Sequence, residues 1–88
     1  ESQLTAEARR TLTLIRRGEP YPYSRDGIVY NNYNRVLPQH PKGWYHEFTV
    51  PTPGESDRGA RRLILGKDGA LFYTADHYTT FRLIAEGT

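Results

Sequence analysis

The spacing of apolar residues changes once along this chain, from a helical period to the alternation of β-strands, and this change constrains the fold most. The helical period holds at the start, where the apolar stripe consists of Leu4, Ala8, Leu12 and Ile15. Thr5 suits the N-cap of a helix, and Gly18 is a residue type that commonly ends one. The sequence therefore predicts one helix that begins after Thr5 and ends at Gly18.

Beyond residue 43 the chain has segments with the composition and alternation of strands, separated by turns. They are GWYHEFTV (43–50), ARRLILG (60–66), ALFYT (70–74) and TFRLIAE (80–86), and a short apolar piece at 28–30 comes before them. Because one helix is followed by consecutive strands, we predict an α+β fold, with one N-terminal helix packed on a four- to five-stranded antiparallel sheet. The length of 88 residues predicts a single domain over residues 1–88.

The composition excludes several kinds of site. The chain has no cysteine, which excludes disulfides, zinc–thiolate centres and a cysteine nucleophile. Its three histidines lack the short spacings of metal ligands, so we predict no metal and no cofactor. No apolar run approaches the ~18 residues that a membrane span needs. The net charge of +2 is small, but the segment DRGARR concentrates three arginines within residues 57–62.

Glu47 is unusual because carboxylates are depleted in strands. Strand alternation puts it on the face opposite Trp44 and Phe48, a face that we expect to be open to solvent. If the next strand pairs with this one, Arg62 can share that face, and the turn at 74–78 can bring His77 to its rim. A carboxylate and an imidazole of ordinary pKa are suited to accept one proton and donate another in a single step.

The segments that carry these residues resemble those of a known family. YHEFTV, RGARRLILG and DHYTTF match, in order and spacing, the small microbial guanyl-preferring ribonucleases of the barnase, binase and Streptomyces group. LTLI, PYPYSRDGIVYNN and VLP match the Streptomyces branch, so the resemblance runs from residue 4 to residue 84. It implies the microbial ribonuclease fold. It also implies metal-independent cleavage of single-stranded RNA 3′ of guanosine, by transesterification to a 2′,3′-cyclic phosphate.

The resemblance implies roles for five residues. Glu47 corresponds to the general base and His77 to the general acid. Arg58 and Arg62 correspond to the arginines that bind the phosphate, and Tyr78 to a further phosphate contact.

The base-recognition loop of the family corresponds to Tyr30 through Asn34. Tyr30 is expected to stack on the base, and the backbone amides of Asn31, Asn32 and Tyr33 to bind the guanine oxygen. Two positions depart from the family: Asn34 replaces a glutamate that binds guanine, and Tyr33 replaces a residue that is usually arginine. Because a carboxamide offers one acceptor where a carboxylate offers two, we expect specificity relaxed toward other purines.

Two other functions fit the residues taken without the resemblance. One is a non-catalytic single-stranded RNA-binding module that uses the arginines and tyrosines, and the other is an interaction domain whose basic face meets an acidic partner. The family implies such a partner too, in the form of an acidic barstar-like inhibitor or immunity protein. We expect a monomer without membrane association. The location expected is extracellular, by secretion, or inside a target cell as a delivered toxin domain.

Overall fold

The computed structural model describes residues 5–18, 26–33, 35–54 and 58–86. Leu4 of the predicted stripe, most of the turn before Gly27, and Asn34 lie outside these residues. The elements, in chain order, are α1 (Ala6–Arg17), β1 (Val29–Tyr30), β2 (Tyr45–Thr49), β3 (Arg62–Gly66), β4 (Leu71–Thr74) and β5 (Arg82–Ala85). The strands form one five-stranded antiparallel sheet in the order β1-β2-β3-β4-β5. The predicted α+β fold is confirmed.

The helix ends where the sequence predicts. The Thr5 hydroxyl accepts a hydrogen bond from the Ala8 amide at 3.1 Å, which satisfies one of the free N–H groups of the first turn. Gly18 adopts the left-handed conformation, with φ of 95°, and its amide donates to carbonyls of the last turn.

Among the described residues, no helix is both long enough and apolar enough to cross a membrane.

The two faces of the sheet bury different sets of side chains. The helix covers the first face, where the core consists of Ala8, Leu12, Phe48, Val50, Leu63, Leu71 and Tyr73. The other face carries a smaller cluster of Leu37, Tyr45 and Ile64, with partly buried Tyr30, Trp44, Phe72, Tyr78 and Phe81 packed against it. Alternation predicted Trp44 on the Phe48 side, which is wrong: β2 begins at Tyr45, so Trp44 precedes the strand and packs with the second cluster.

The strand register brings the predicted site residues together. Glu47 pairs with Ile64, and Thr49 pairs with Arg62, across β2 and β3. Because side chains alternate along each strand, Glu47, Thr49 and Arg62 all point to the face away from the helix. The sequence-based placement of Glu47 and Arg62 on one sheet face is confirmed.

Candidate active site

The Glu47 carboxylate lies at the centre of the face opposite the helix. Its Oε1 atom accepts a hydrogen bond from the Tyr78 hydroxyl at 2.7 Å and one from Nη2 of Arg58 at 3.4 Å. Nε of Arg62 lies 3.9 Å from the same oxygen. Glu47 is only 7% exposed, so the expectation of a solvated glutamate was wrong. Side chains from two loops cover it, and strand alternation cannot reveal what covers a face.

Arg62 is buried, and its guanidinium group donates several hydrogen bonds to other groups of the protein. Its Nη1 donates to the carbonyl oxygens of Arg61 at 2.8 Å, Gly59 at 3.0 Å and Arg58 at 3.4 Å, and Nε donates to the Tyr78 hydroxyl at 3.1 Å. A buried guanidinium must be paired in this way, because leaving it unpaired is costly. Arg62 therefore fixes the loop that carries Arg58, in addition to lying beside Glu47.

Arg58 is oriented by Thr49, a residue that the sequence analysis did not single out. Nε of Arg58 donates to Oγ1 of Thr49 at 2.9 Å, and the amide of Thr49 donates to a carboxylate oxygen of Asp26 at 2.7 Å. Thr49 lies two positions after Glu47 and so shares its face. That spacing is the signal that could have identified it.

The turn between β4 and β5 carries His77 and Tyr78 in a conformation unusual for non-glycine residues, with φ of 56° and 75°. Side chains before and after them hold this turn. The Thr74 hydroxyl accepts from the Tyr78 amide at 3.1 Å and donates to Asp76 at 2.9 Å. Asp76 in turn accepts from the hydroxyl and the amide of Thr80, at 2.6 and 2.9 Å, and these bonds lower its pKa to about 2. Thr74, Asp76 and Thr80 were also missed from the sequence.

His77 lies beside the buried group formed by Glu47, Arg62 and Thr49 rather than within it. Its amide donates to the Ala60 carbonyl at 3.0 Å, which ties the turn to the loop before β3. Its imidazole is exposed, 4.6 Å from the Tyr78 ring between centroids. Within the part of the chain that the structure describes, no hydrogen bond or ion pair engages the imidazole. The predicted position of His77 at the rim agrees with this geometry.

Tyr78 and Tyr30 form an aromatic layer next to the carboxylate. Their rings stack with centroids 4.8 Å apart and planes 21° apart, so one face of Tyr30 is already covered. Burial, followed by the hydrogen bond to Glu47, raises the pKa of Tyr78 well above its usual value. Burial and the charge of Glu47 also raise the pKa of Tyr30. Both hydroxyls consequently stay protonated at neutral pH, and Tyr78 acts towards Glu47 as a donor.

The Asn32 side chain holds the described part of the segment after β1, which is predicted as the recognition loop. Asn32 donates from Nδ2 to the Leu37 carbonyl at 2.9 Å and accepts from the Leu37 amide at 3.2 Å. It has a φ of 55°, in the left-handed region that asparagine tolerates better than most residues. Asn31 is exposed, and Tyr33 is 86% exposed. Asn34, which the resemblance predicts to replace a glutamate of the family, lies outside the described residues.

Comparison with known proteins identifies the chain. A family model described as ribonuclease matches residues 1–85. The chain belongs to the ribonuclease family. It is 51% identical to the guanyl-specific ribonuclease St of Saccharopolyspora erythraea over 82 residues, which cover 93% of this chain and 81% of that protein. It is also 51% identical to the guanyl-specific ribonuclease Sa3 of Kitasatospora aureofaciens over 84 residues, which cover 94% of this chain and 60% of Sa3.

A solved structure extends the comparison to the fold. The crystal structure of ribonuclease Sa2 with guanosine-2′-cyclophosphate superposes with a TM-score of 0.90 at 48% identity, covering 96% of this chain and 89% of that one. The resemblance to microbial ribonucleases in sequence is therefore confirmed, and so is the predicted fold of that family.

In this ribonuclease a cavity of about 360 Å³ opens on the sheet face that carries Glu47. One wall is the segment 30–33 together with Arg35, and the other is the segment 39–45. His40 stacks in parallel on Trp44 in the second wall, with centroids 4.1 Å apart. Within the described ranges, no three histidine, aspartate or glutamate side chains form a group that could hold a metal ion.

Proposed function

We propose that this ribonuclease cleaves single-stranded RNA on the 3′ side of guanosine by transesterification to a 2′,3′-cyclic phosphate. The observation that carries the proposal is the state of the Glu47 carboxylate. Its Oε1 atom is the one that Tyr78, Arg58 and Arg62 contact. Among the described residues nothing bonds to Oε2, which leaves that oxygen to accept a proton from a substrate.

In the first step, Oε2 of Glu47 removes the proton of the guanosine 2′-hydroxyl, and the 2′-oxygen forms a bond to phosphorus. The bond from phosphorus to the 5′-oxygen of the next nucleotide breaks, and the His77 imidazolium donates a proton to that leaving oxygen. The exposed imidazole, held at the edge of the site by its amide bond to Ala60, is accessible to a leaving group. Positioned proton transfers of this kind contribute about 10²–10⁴-fold each. The cyclic phosphate is then hydrolysed when water takes the place of the 5′-hydroxyl and the two residues exchange roles.

The arginines stabilise the negative charge that builds up on the phosphate oxygens. Arg58 keeps a partly exposed side chain, 23% accessible, next to Glu47. Arg62 is 3% accessible, so its main effect is the fixed positive charge that it places under the site. Both arginines are held by the protein before substrate arrives, so no reorganisation is needed at the moment of reaction.

The base preference follows from the relatives and the segment 30–34. St and Sa3 are guanyl-specific ribonucleases, and Sa2 has been solved with a guanosine cyclophosphate. Tyr30 has one ring face against Tyr78, so a base that stacks on Tyr30 must use the other face. Asn34 supplies a carboxamide where the family has a carboxylate, so we propose that adenosine is tolerated better than in the relatives.

The test is cleavage of the dinucleotides GpU and ApU in EDTA. Wild type and Glu47→Gln are compared, and Glu86→Gln, which changes an exposed glutamate, serves as the matched control. We expect a 2′,3′-cyclic product from wild type and the control, and a loss of about 10²–10⁴-fold in Glu47→Gln. Binding of RNA without turnover by the wild type would overturn the proposal in favour of a binding module.

We further propose an acidic protein partner and action away from the producing cell's own RNA. The site combines Arg58, Arg62 and exposed His77, and an acidic inhibitor or immunity protein that covers it would meet complementary charge. Because the proposed chemistry uses side chains only, a producing cell has no cofactor through which to switch it off. Secretion, or delivery as a toxin domain, keeps the enzyme away from the RNA of the producing cell. A stable complex with an acidic inhibitor that fails to bind Arg58→Glu would support the partner.

A further inference from the structure

From the cavity beside the recognition loop we infer a subsite for the nucleotide on the 5′ side of the cleaved guanosine. The inference rests on the proposed function, because the direction of the RNA follows from the roles of Glu47 and His77. The cavity volume of about 360 Å³ falls in the range of small-ligand sites.

The position of the cavity relative to His77 decides which nucleotide would occupy it. His77 is bonded to Ala60, just before β3, at the end of the sheet where Thr49 faces Arg62. The leaving nucleotide departs there, since His77 protonates its oxygen. The cavity borders Tyr45, at the other end of β2, about 14 Å away along the strand. Because the proposed function places guanosine against the segment 30–33, a chain that enters the site from that side brings its 5′ nucleotide to the second wall of the cavity, residues 39–45.

The walls of the cavity have the chemistry that binds single-stranded nucleic acid. Exposed Tyr33 lies on one side and the stacked pair of His40 and Trp44 on the other, and bases stack on such rings regardless of sequence. Arg35 and Lys42 supply positive charge for a phosphate. Of the described residues that line the cavity, none is a carboxylate.

Hydrogen bonds within the protein hold both walls of the cavity. The Tyr45 hydroxyl donates to the Pro38 carbonyl at 2.7 Å, and the amide of Trp44 donates to the Pro41 carbonyl at 3.1 Å. Asn32 fixes the opposite wall through Leu37. The cavity is thus formed before any RNA binds, which reduces the entropic cost of binding.

The experiment measures binding of two oligonucleotides that cannot be cleaved, because deoxyguanosine replaces guanosine and removes the 2′-nucleophile. One is the dinucleotide (dG)pU, and the other is Up(dG)pU, which carries the additional 5′ nucleotide. We expect wild type to bind the longer oligonucleotide about tenfold more tightly, in line with one added stacked base and one phosphate contact. Cleavage is measured separately on GpU, so failure of the proposed function leaves the binding comparison informative.

The variants are His40→Ala, which removes the stacked ring, and Lys42→Ala, which removes a charge. Both residues are exposed, and Arg10→Ala, on the helix across the sheet, controls for the lost charge. We expect the two cavity variants to lose most of the gain from the 5′ nucleotide while binding (dG)pU as wild type does. An equal loss for both oligonucleotides would assign the cavity to guanosine itself and overturn the inference. Unchanged binding in both variants, or no preference of wild type for the longer oligonucleotide, would also overturn it.

Discussion

The group around Glu47 and the loop after β1 lie on the same sheet face but are held in different ways. Glu47, Arg62 and Thr49 belong to paired strands, are buried, and are joined to Arg58 and Tyr78 by hydrogen bonds. In the loop after β1, the described residues Asn31, Tyr33, Arg35 and Val36 are exposed, and the Asn32 side chain anchors the loop to Leu37. In the group around Glu47, a substitution at one residue therefore alters the contacts of several others. In the proposed function, base preference depends on this exposed loop, where the resemblance marks Tyr33 and Asn34 as departures from the family.

Arg62→Ala, in the group around Glu47, should have the largest effect on stability. The substitution leaves Glu47 without a buried cation and removes the hydrogen bonds that Arg62 donates to the carbonyls of Arg61 and Gly59. Breaking a buried ion pair by removing one partner costs about 3–5 kcal/mol, and we expect that loss in the free energy of unfolding measured in urea. Arg61→Ala, which removes the neighbouring, partly exposed arginine side chain, should cost under about 1 kcal/mol. Similar losses in the two variants would contradict the account of Arg62.

In the loop, Asn32→Ala should have a smaller effect on stability but a clear one on base binding. It removes both side-chain bonds to buried Leu37, whose backbone groups then lose these partners, and it places alanine at positive φ. We expect a loss of about 1–3 kcal/mol in urea unfolding. Catalytic efficiency on GpU should fall through a raised KM. Asn31→Ala, in the same loop, should leave stability unchanged, and equal effects would show that Asn32 is no anchor.

A substitution of Asn34 should change the base preference without changing the stability. Because a carboxylate accepts two charge-assisted bonds from guanine, Asn34→Glu should raise the ratio of GpU to ApU cleavage by roughly 10–150-fold. Asn31→Glu carries the same change of charge and should leave the ratio unaltered. A wild type that already cleaves GpU far faster than ApU would contradict the proposed relaxation.

The smallest expected effect is a pH dependence from Asp76. Its pKa is lowered from 3.8 to about 2 by bonds from Thr80, so the folded state favours the ionised carboxylate. The resulting stabilisation is present above about pH 4 and is lost as the pH falls towards 2. Thermal unfolding of wild type and Asp76→Asn should therefore converge over that interval. A difference in Tm that stays constant from pH 6 to pH 2 would argue against this origin.

Local spacing was sufficient to predict the elements of this protein. The helix bounded by Thr5 and Gly18, the strands, and the shared face of Glu47 and Arg62 all follow from patterns that span a few residues. Burial of Glu47 was not predictable in this way. The arginine and tyrosine that cover it come from loops 11 and 31 residues away in sequence. Trp44 was misassigned because alternation was extended one residue beyond the start of β2.

The sequence by itself thus determined which segments fold into a helix and strands, which residue types could transfer protons, and to which family the chain belongs. These properties depend on the order and spacing of side chains along the chain. The tertiary structure alone decided that Oε1 of Glu47 is engaged, that Arg62 is bound to loop carbonyls, and that a cavity opens beside Tyr33. The engagement of Oε1 results from contacts with loops distant in sequence, and the other two features result from the conformations of the loops; no local pattern of apolar residues specifies either.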